Sequence, residues 1–279
     1  TVAAGEPSWA SGGGGAPADA YYLLTQSNVS LTNAVVLPVI HNDWSLFIGA
    51  NTGNNSATGG YNLALGDSVM NLIEPGYGYN IGIGRAAMGN ARRVTNCISI
   101  GALSMLENID GQNHVIIGTQ ALFTATDGIG IIGIGNNALY LGTSLNNIVA
   151  IGDNVLYNHS GGTDTTVVGG QAGVNITGAS RNTLFGAYAL LAGDQADDNV
   201  AVGAYTGHDT GYGLGECVLI GNYATTGSPS LTNAISIGYQ ASVAASNTVQ
   251  IGNSSITQGF LGNNLIVTSG VPVGGELLV

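Results

Sequence analysis

The chain has 279 residues, of which only 7% are charged; four arginines and no lysine face sixteen carboxylates, for a formal net charge of −12. That balance repels nucleic acid and anionic membranes, so both are set aside as partners. Forty-six glycines oppose helix at roughly 1 kcal/mol apiece, and no apolar run reaches the roughly 18 residues of a membrane-spanning helix.

Residues 1–45 begin at Thr1 with a polar segment rather than a secretory leader. Pro7, Gly12 to Gly15 and Pro17 make it a tether. Tyr21 to Ile40 is more apolar and extended, and is expected to dock on a larger assembly or cap the repeats, with Trp44 and Phe47 closing the first of them. From 46 to 256 one pattern recurs: apolar, any, apolar, Gly, then a small residue three places on and usually a larger apolar one beside it. The anchors are Gly49, Gly66, Gly84, Gly101, Gly118, Gly135, Gly152, Gly169, Gly186, Gly203, Gly221, Gly238 and Gly252; nine of the twelve steps are 17 residues, two are 18 and the last is 14. Residues 257–279, with Pro272, Gly274 and Gly275, read as a terminal cap or lead-out segment.

A fixed step over so long a stretch predicts stacked repeats, each burying its face only against its neighbours. The residues one and three places before the glycine, such as Ile151 and Val149, are almost all apolar and often β-branched. Such alternation marks a strand with one buried face. The fold class expected is all-β, a parallel β-solenoid of about thirteen 17-residue rungs; at ~4.8 Å per strand it makes a rod of roughly 60 Å. The glycine suits a corner or bulge, its alternative being simple close packing. The small column after it, including Ala121, Ala138 and Val155, fits a narrow interior. A coil that slim hides little surface alone, and the mean hydropathy of +0.28 calls for burial inside coils or between chains, so self-association as a homotrimer is expected.

Asparagine recurs four or five places before the glycine, at Asn62, Asn80, Asn96, Asn113, Asn147, Asn182, Asn199, Asn233 and Asn247, which predicts amide ladders along the axis. Carboxylates do not recur in register as in calcium-binding rolls, and His41, His114, His159 and His208 show no zinc-site spacing, so no metal or other cofactor is expected. Cys97 and Cys217 share one repeat position but stand seven rungs apart, too far for a disulfide. Asp194, Asp197 and Asp198 cluster in one turn and Asp209 and Glu216 in the next; they read as solvated surface rather than a glycosidase pair, and no enzyme activity is expected. Tyr188, Tyr205 and Tyr223, each two places past a glycine on successive rungs, predict a stacked stripe, with His208, Asp209 and Tyr212 beside it. The stripe reads either as a glycan-binding surface or as an intercoil or interchain ladder.

Rungs such as NCISIGALS, NNIVAIGDN, NAISIGYQA and NTVQIGNSS resemble the head repeats of YadA-like trimeric adhesins, and very similar repeats occur in phage tail fibres. The resemblance covers roughly Leu46 to Ile256 and implies three chains wound side by side as a left-handed β-roll, although the 17-residue step is longer than is usual in bacterial adhesin heads. Ala16 to Leu37 resembles the extended stretch before the repeats in phage fibre and other virion proteins. Asn247 to Val267 resembles the strand region that in many fibres leads into a self-cleaving chaperone, which does not follow within this sequence. The expected function is therefore a structural fibre or adhesin of a tailed phage, a tail fibre or head fibre on the virion surface. It would be anchored to a tail or capsid protein through its N-terminal region and display multivalent surfaces to host glycan. The alternative is a cellular trimeric adhesin head or a subunit of an extracellular filament, at the bacterial surface or outside the cell.

Overall fold

A computed structural model describes residues 39–40, 45–53, 60–190, 196–208 and 213–256. All regular structure among them is β. Thirteen strands, Leu46–Ile48, Leu63–Leu65, Ile81–Ile83, Ile98–Ile100, Val115–Ile117, Asp127–Ile134, Leu145–Ile151, Thr163–Val168, Thr183–Phe185, Val200–Val202, Val218–Ile220, Ile235–Ile237 and Val249–Ile251, stack in parallel in chain order. The chain is a β-solenoid. Partners are offset by the repeat step: Ile151 faces Val168 at 17 residues, Val200 faces Val218 at 18, and Ile235 faces Val249 at 14. Insertions and deletions are thus absorbed in turns, and the ladder keeps its register. On a second side, Arg93–Thr95 and Asp110–Gln112 pair in parallel and continue into Asp127–Ile134. Val39–Ile40 runs antiparallel to Leu46–Ile48 and covers the first edge of the ladder. Phe47 is buried in that first rung; Trp44 lies outside the described residues, as do most of residues 1–45 and all of 257–279.

Each anchoring glycine is a corner rather than a site of simple close packing. From Gly49 to Gly238 their φ values lie between +124° and +148°, a region that side chains oppose. Close approach adds a second demand. A β-carbon on Gly152 would meet the carbonyl oxygen of Gly169 at 2.5 Å, and one on Gly169 would meet that of Gly186 at 2.3 Å. The glycines therefore stack backbone on backbone, and each donates its N–H to the residue before the previous glycine, as Gly152 does to Ile134 at 2.8 Å.

The strands turn a different face inward from the one their alternation implied. The buried residue is the one between the two apolar columns: Ile116, Ala150, Val167, Leu184 and Ala201 are fully buried. The columns on either side are half-buried to exposed in the single chain, with Ile48 40%, Ile132 37%, Phe185 53%, Val202 38% and Ile220 38% accessible. The interior is narrow and filled by small residues three places past the glycine, such as Ala121, Ala138 and Val155, with Met88, Met105, Leu122, Leu139 and Leu156 next to them. These larger residues reach inward from left-handed backbone, φ +48° to +57° for Met88, Met105, Leu122, Leu139 and Leu156. Bulky side chains resist that conformation by roughly 1–2 kcal/mol. Hydrogen bonds between rungs offset the cost: Leu139 N–H donates to Val155 O and Leu156 N–H to Ala172 O, both at 3.0 Å.

Gly152→Ala is expected to lose roughly 3 kcal/mol or more, because neither the φ nor the contact with Gly169 admits a β-carbon. Thermal unfolding should shift down, and amide exchange should lose protection first in the flanking rungs at Gly135 and Gly169.

Candidate functional site

The tyrosine stripe forms as its spacing implies. Tyr188 and Tyr205 stack with centroids 4.7 Å apart and planes 5° apart, and Tyr205 and Tyr223 stack at 5.0 Å and 2°. All three sit on left-handed backbone, φ +55° to +58°, which carries their rings out at the corner after the glycine. Gln171 Nε2 donates to Tyr188 Oη at 3.0 Å and lengthens the column by one rung. At the other end Tyr239 meets Tyr223 edge-on at 6.4 Å. His208 leans on Tyr205 at 5.5 Å. Asp194, Asp209 and Tyr212 lie outside the described residues. Tyr223 is 48% exposed and Tyr239 60%, so the stripe presents aromatic surface and phenolic hydroxyls together.

Two further aromatic ladders are built the same way. Phe123, Tyr140 and Tyr157, five places past their glycines, stack at 5.0 and 4.9 Å, and Tyr61 stacks on Tyr79 at 4.9 Å. Their 17- and 18-residue spacing is present in the sequence, and aligning every column of the repeat, rather than one, brings them out.

The asparagines divide into two ladders. At the buried position four before the glycine, each side-chain oxygen accepts the backbone N–H of the same position one rung on: Asn62 from Asn80, Asn80 from Cys97, Asn182 from Asn199 and Asn199 from Cys217, all at 3.0 Å. One place earlier, on left-handed backbone, the side chains meet each other at the surface, Asn96 with Asn113 at 3.2 Å and Asn233 with Asn247 at 3.0 Å. Both cysteines are buried and free. Burial pushes the Cys97 thiol up to about 11.

His114 occupies the buried column above Cys97, where its Nδ1 accepts the N–H of Ile131 at 3.3 Å. Its neutral ring therefore holds its proton on Nε2. That atom and the side-chain amide of Asn108 are buried without other hydrogen-bond partners. Both face the same spot: a β-carbon on Gly111 would lie 2.4 Å from Asn108 Oδ1 and 2.9 Å from His114 Nε2. The Nε2–H and the Oδ1 are complementary there. His159 is also given room by a glycine, Gly162, but its Nδ1–H donates, to Ile176 O at 2.7 Å. Burial without a countercharge lowers both histidines, His114 to about 4.

Three aspartates, Asp110, Asp197 and Asp198, are engaged in surface ion pairs. Arg181 clamps Asp198 at 2.6 and 2.8 Å and reaches Asp197 at 3.8 Å, and Arg93 clamps Asp110 one rung away. The Arg181 guanidinium holds the Asp198 carboxyl below the usual range. No three His, Cys, Asp or Glu side chains among the described residues gather as metal ligands, and no helix there is long and apolar enough to cross a membrane. No protein-family model matches the sequence, and no curated protein matches it.

Between pH 6.5 and about 4, unfolded chains protonate His114 while folded ones do not, so stability should fall with pH across that window, by about 3 kcal/mol at most for this residue. His114→Asn keeps an acceptor for Ile131 and removes the titration; melts from pH 7.5 to 4.5 should show a shallower loss than the parent chain. Tyr205→Leu removes both central stacks and should cost about 1–3 kcal/mol, read as a fall in melting temperature.

Proposed function

We propose that this chain is a fibre subunit of a tailed-phage virion, working as a homotrimeric rod that displays repeated, individually weak contact surfaces to the host. The observation that carries the association is the half-buried to exposed aliphatic face. Two columns, one and three places before the glycines, run the length of thirteen rungs, and nearly all are Ile, Val or Leu. At ~4.8 Å per rung and two side chains across, the stripe has a footprint on the order of 600 Å², at the upper end of the largest apolar patch a lone soluble chain leaves to water. A second and third copy offering the same face would cover it. Flat, β-branched strand faces pack well on one another.

A virion location is supported by the resemblance of Ala16 to Leu37 and Asn247 to Val267 to fibre segments. The acidic surface argues for a receptor other than nucleic acid or anionic lipid. On this reading the N-terminal region holds the rod to a tail or capsid protein, and avidity among three copies replaces tight binding at any one site. The tyrosine stripe is one candidate contact surface for host glycan.

Sedimentation of the purified chain should give a trimer at micromolar concentration, and Ile151→Asp, in the middle of the aliphatic face, should dissociate it. A parent chain that sediments as a stable monomer would overturn the association. Immunogold labelling of phage particles carrying the gene should decorate fibres at the tail or capsid; undecorated particles would overturn the location.

A further inference from the structure

The aliphatic face lies between two corners. Five places before the glycine the backbone is left-handed on every rung from Tyr61 (φ +64°) to Asn247 (φ +60°), and two places past it the same holds from Asn51 to Gln240 (both φ +53°). The face thus has an entry edge ahead of each strand, and an exit edge formed by the residues one and two places past the glycine. The strand between the corners, such as Asn80 to Gly84, spans roughly 13 Å, and the face with its corners is roughly 15 Å wide.

The two edges carry different groups, and the difference is matched rung by rung. On the Gly66 and Gly84 rungs the entry edge holds the stacked pair Tyr61 and Tyr79, 53% and 60% exposed, and the exit edge holds the exposed Asp67 and Arg85. On the Gly186, Gly203 and Gly221 rungs the arrangement is reversed. There the entry edge holds the exposed Arg181, Asp198 and Glu216, and the exit edge holds Tyr188, Tyr205 and Tyr223. Amides occupy both edges on rungs between, as with Asn113 and Gln120 or Asn147 and Asn154. No rung from Gly66 to Gly252 sets a carboxylate on one edge against a carboxylate on the other. In a chain of net charge −12, that spacing avoids the repulsion that self-association would otherwise meet.

We propose that the entry edge of one copy mates with the exit edge of the next, so that the rods associate parallel and in exact register. Closed rotational symmetry about an axis along the rod allows no slip, so each rung meets the same rung of its neighbours. Across this seam the Tyr61, Tyr205 and Tyr223 hydroxyls donate to the carboxylates of Asp67, Asp198 and Glu216, and the guanidinium of Arg85 rests on the Tyr79 ring. Arg85 makes no ion pair among the described residues and is available for that contact. An antiparallel pair would bring unlike rungs together and separate these groups. Three copies also fit the width of the face. Joined edge to edge, three faces of that width enclose a prism whose axis lies about 4–5 Å from each backbone, half the ~10 Å between packed sheets, so the aliphatic columns fill it. The inference rests on the homotrimer of the proposed function; it gives the tyrosine stripe the role of an interchain ladder and leaves host contact to the outer faces.

The test is cross-linking of the full chain carrying Tyr79→Cys together with Arg85→Cys by a bis-maleimide too short to cross the aliphatic face. Cys97 and Cys217 are buried, so the parent chain is the blank. The double variant should give a covalent trimer on a denaturing gel, with peptides mapped as joined from position 79 to position 85. Asn113→Cys with Thr119→Cys, two rungs on, should behave alike. Each substitution alone should give no linked product, and neither should Tyr79→Cys with Asn136→Cys, whose rungs lie three steps or roughly 14 Å apart. Sedimentation of the same samples separates the seam from the trimer. A trimer whose in-register pairs stay unlinked, or whose single variants link to themselves, overturns the seam alone. A covalent dimer joined from 79 to 85 overturns the copy number and keeps the seam, whereas a parent chain that sediments as a monomer overturns both.

Discussion

The stacking of glycine on glycine is the contact on which the coil depends. A β-carbon at Gly118, Gly135 or Gly152 would fall 2.1–2.5 Å from the carbonyl oxygen of the next glycine in the column, so only hydrogen fits, and the backbones close to the distance at which each N–H reaches the rung before it. The anchors must therefore recur in register, whereas the turns need not. Strand pairs at 17, 18 and 14 residues have the same parallel geometry because the extra or missing residues are spent elsewhere in the circuit. Rungs of this kind are cooperative only with their neighbours.

The same constraint explains what fills the inside. A coil this tight has room for small residues and a few larger side chains per rung, such as Leu139, Leu145 and Ile148 in one of them, and where it holds a histidine it gives up a side chain nearby. Gly111 faces His114 and Gly162 faces His159. Buried backbone N–H groups that the strand ladder does not use are met by the asparagine column, which explains a polar residue on an otherwise apolar wall. With the interior so occupied, the Ile and Val columns have no place inside and stand outward on the flat side. A single coil thus hides its amides beside a core of Met, Leu and Ile and still leaves two aliphatic columns half-buried to exposed on its flat side.

The β-solenoid, its register and its corners are legible in the sequence because they follow from a spacing and from one residue type that admits no substitute. The direction of the strand faces is not. Alternation at Val149, Ala150 and Ile151 says that two faces differ and leaves open which is inside, and the larger residues are the reasonable choice for the interior. The left-handed backbone at Leu122, Leu139, Tyr188 and Tyr205 is equally invisible, since leucine and tyrosine resist positive φ and the hydrogen bonds that outweigh them run between rungs. The tyrosine stripe follows from its spacing alone, while the Phe123, Tyr140 and Tyr157 ladder, written in the same spacing, is harder to see because the column five places past the glycine is aromatic in only part of the chain.

A solenoid converts sequence period into linear surface. Any residue type placed at one repeat position becomes a row with the rung spacing, as the tyrosines at the corner do. Rows suit ligands that are themselves periodic, because each added rung offers the next unit of the polymer a similar set of groups, and affinity accumulates from contacts too weak to act alone. Backbone pairing supplies the rigidity, so the outward residues can vary from rung to rung with little effect on the fold. That division of labour allows Tyr188 to replace Gln171 at one position of the repeat while the glycine two residues before each stays fixed.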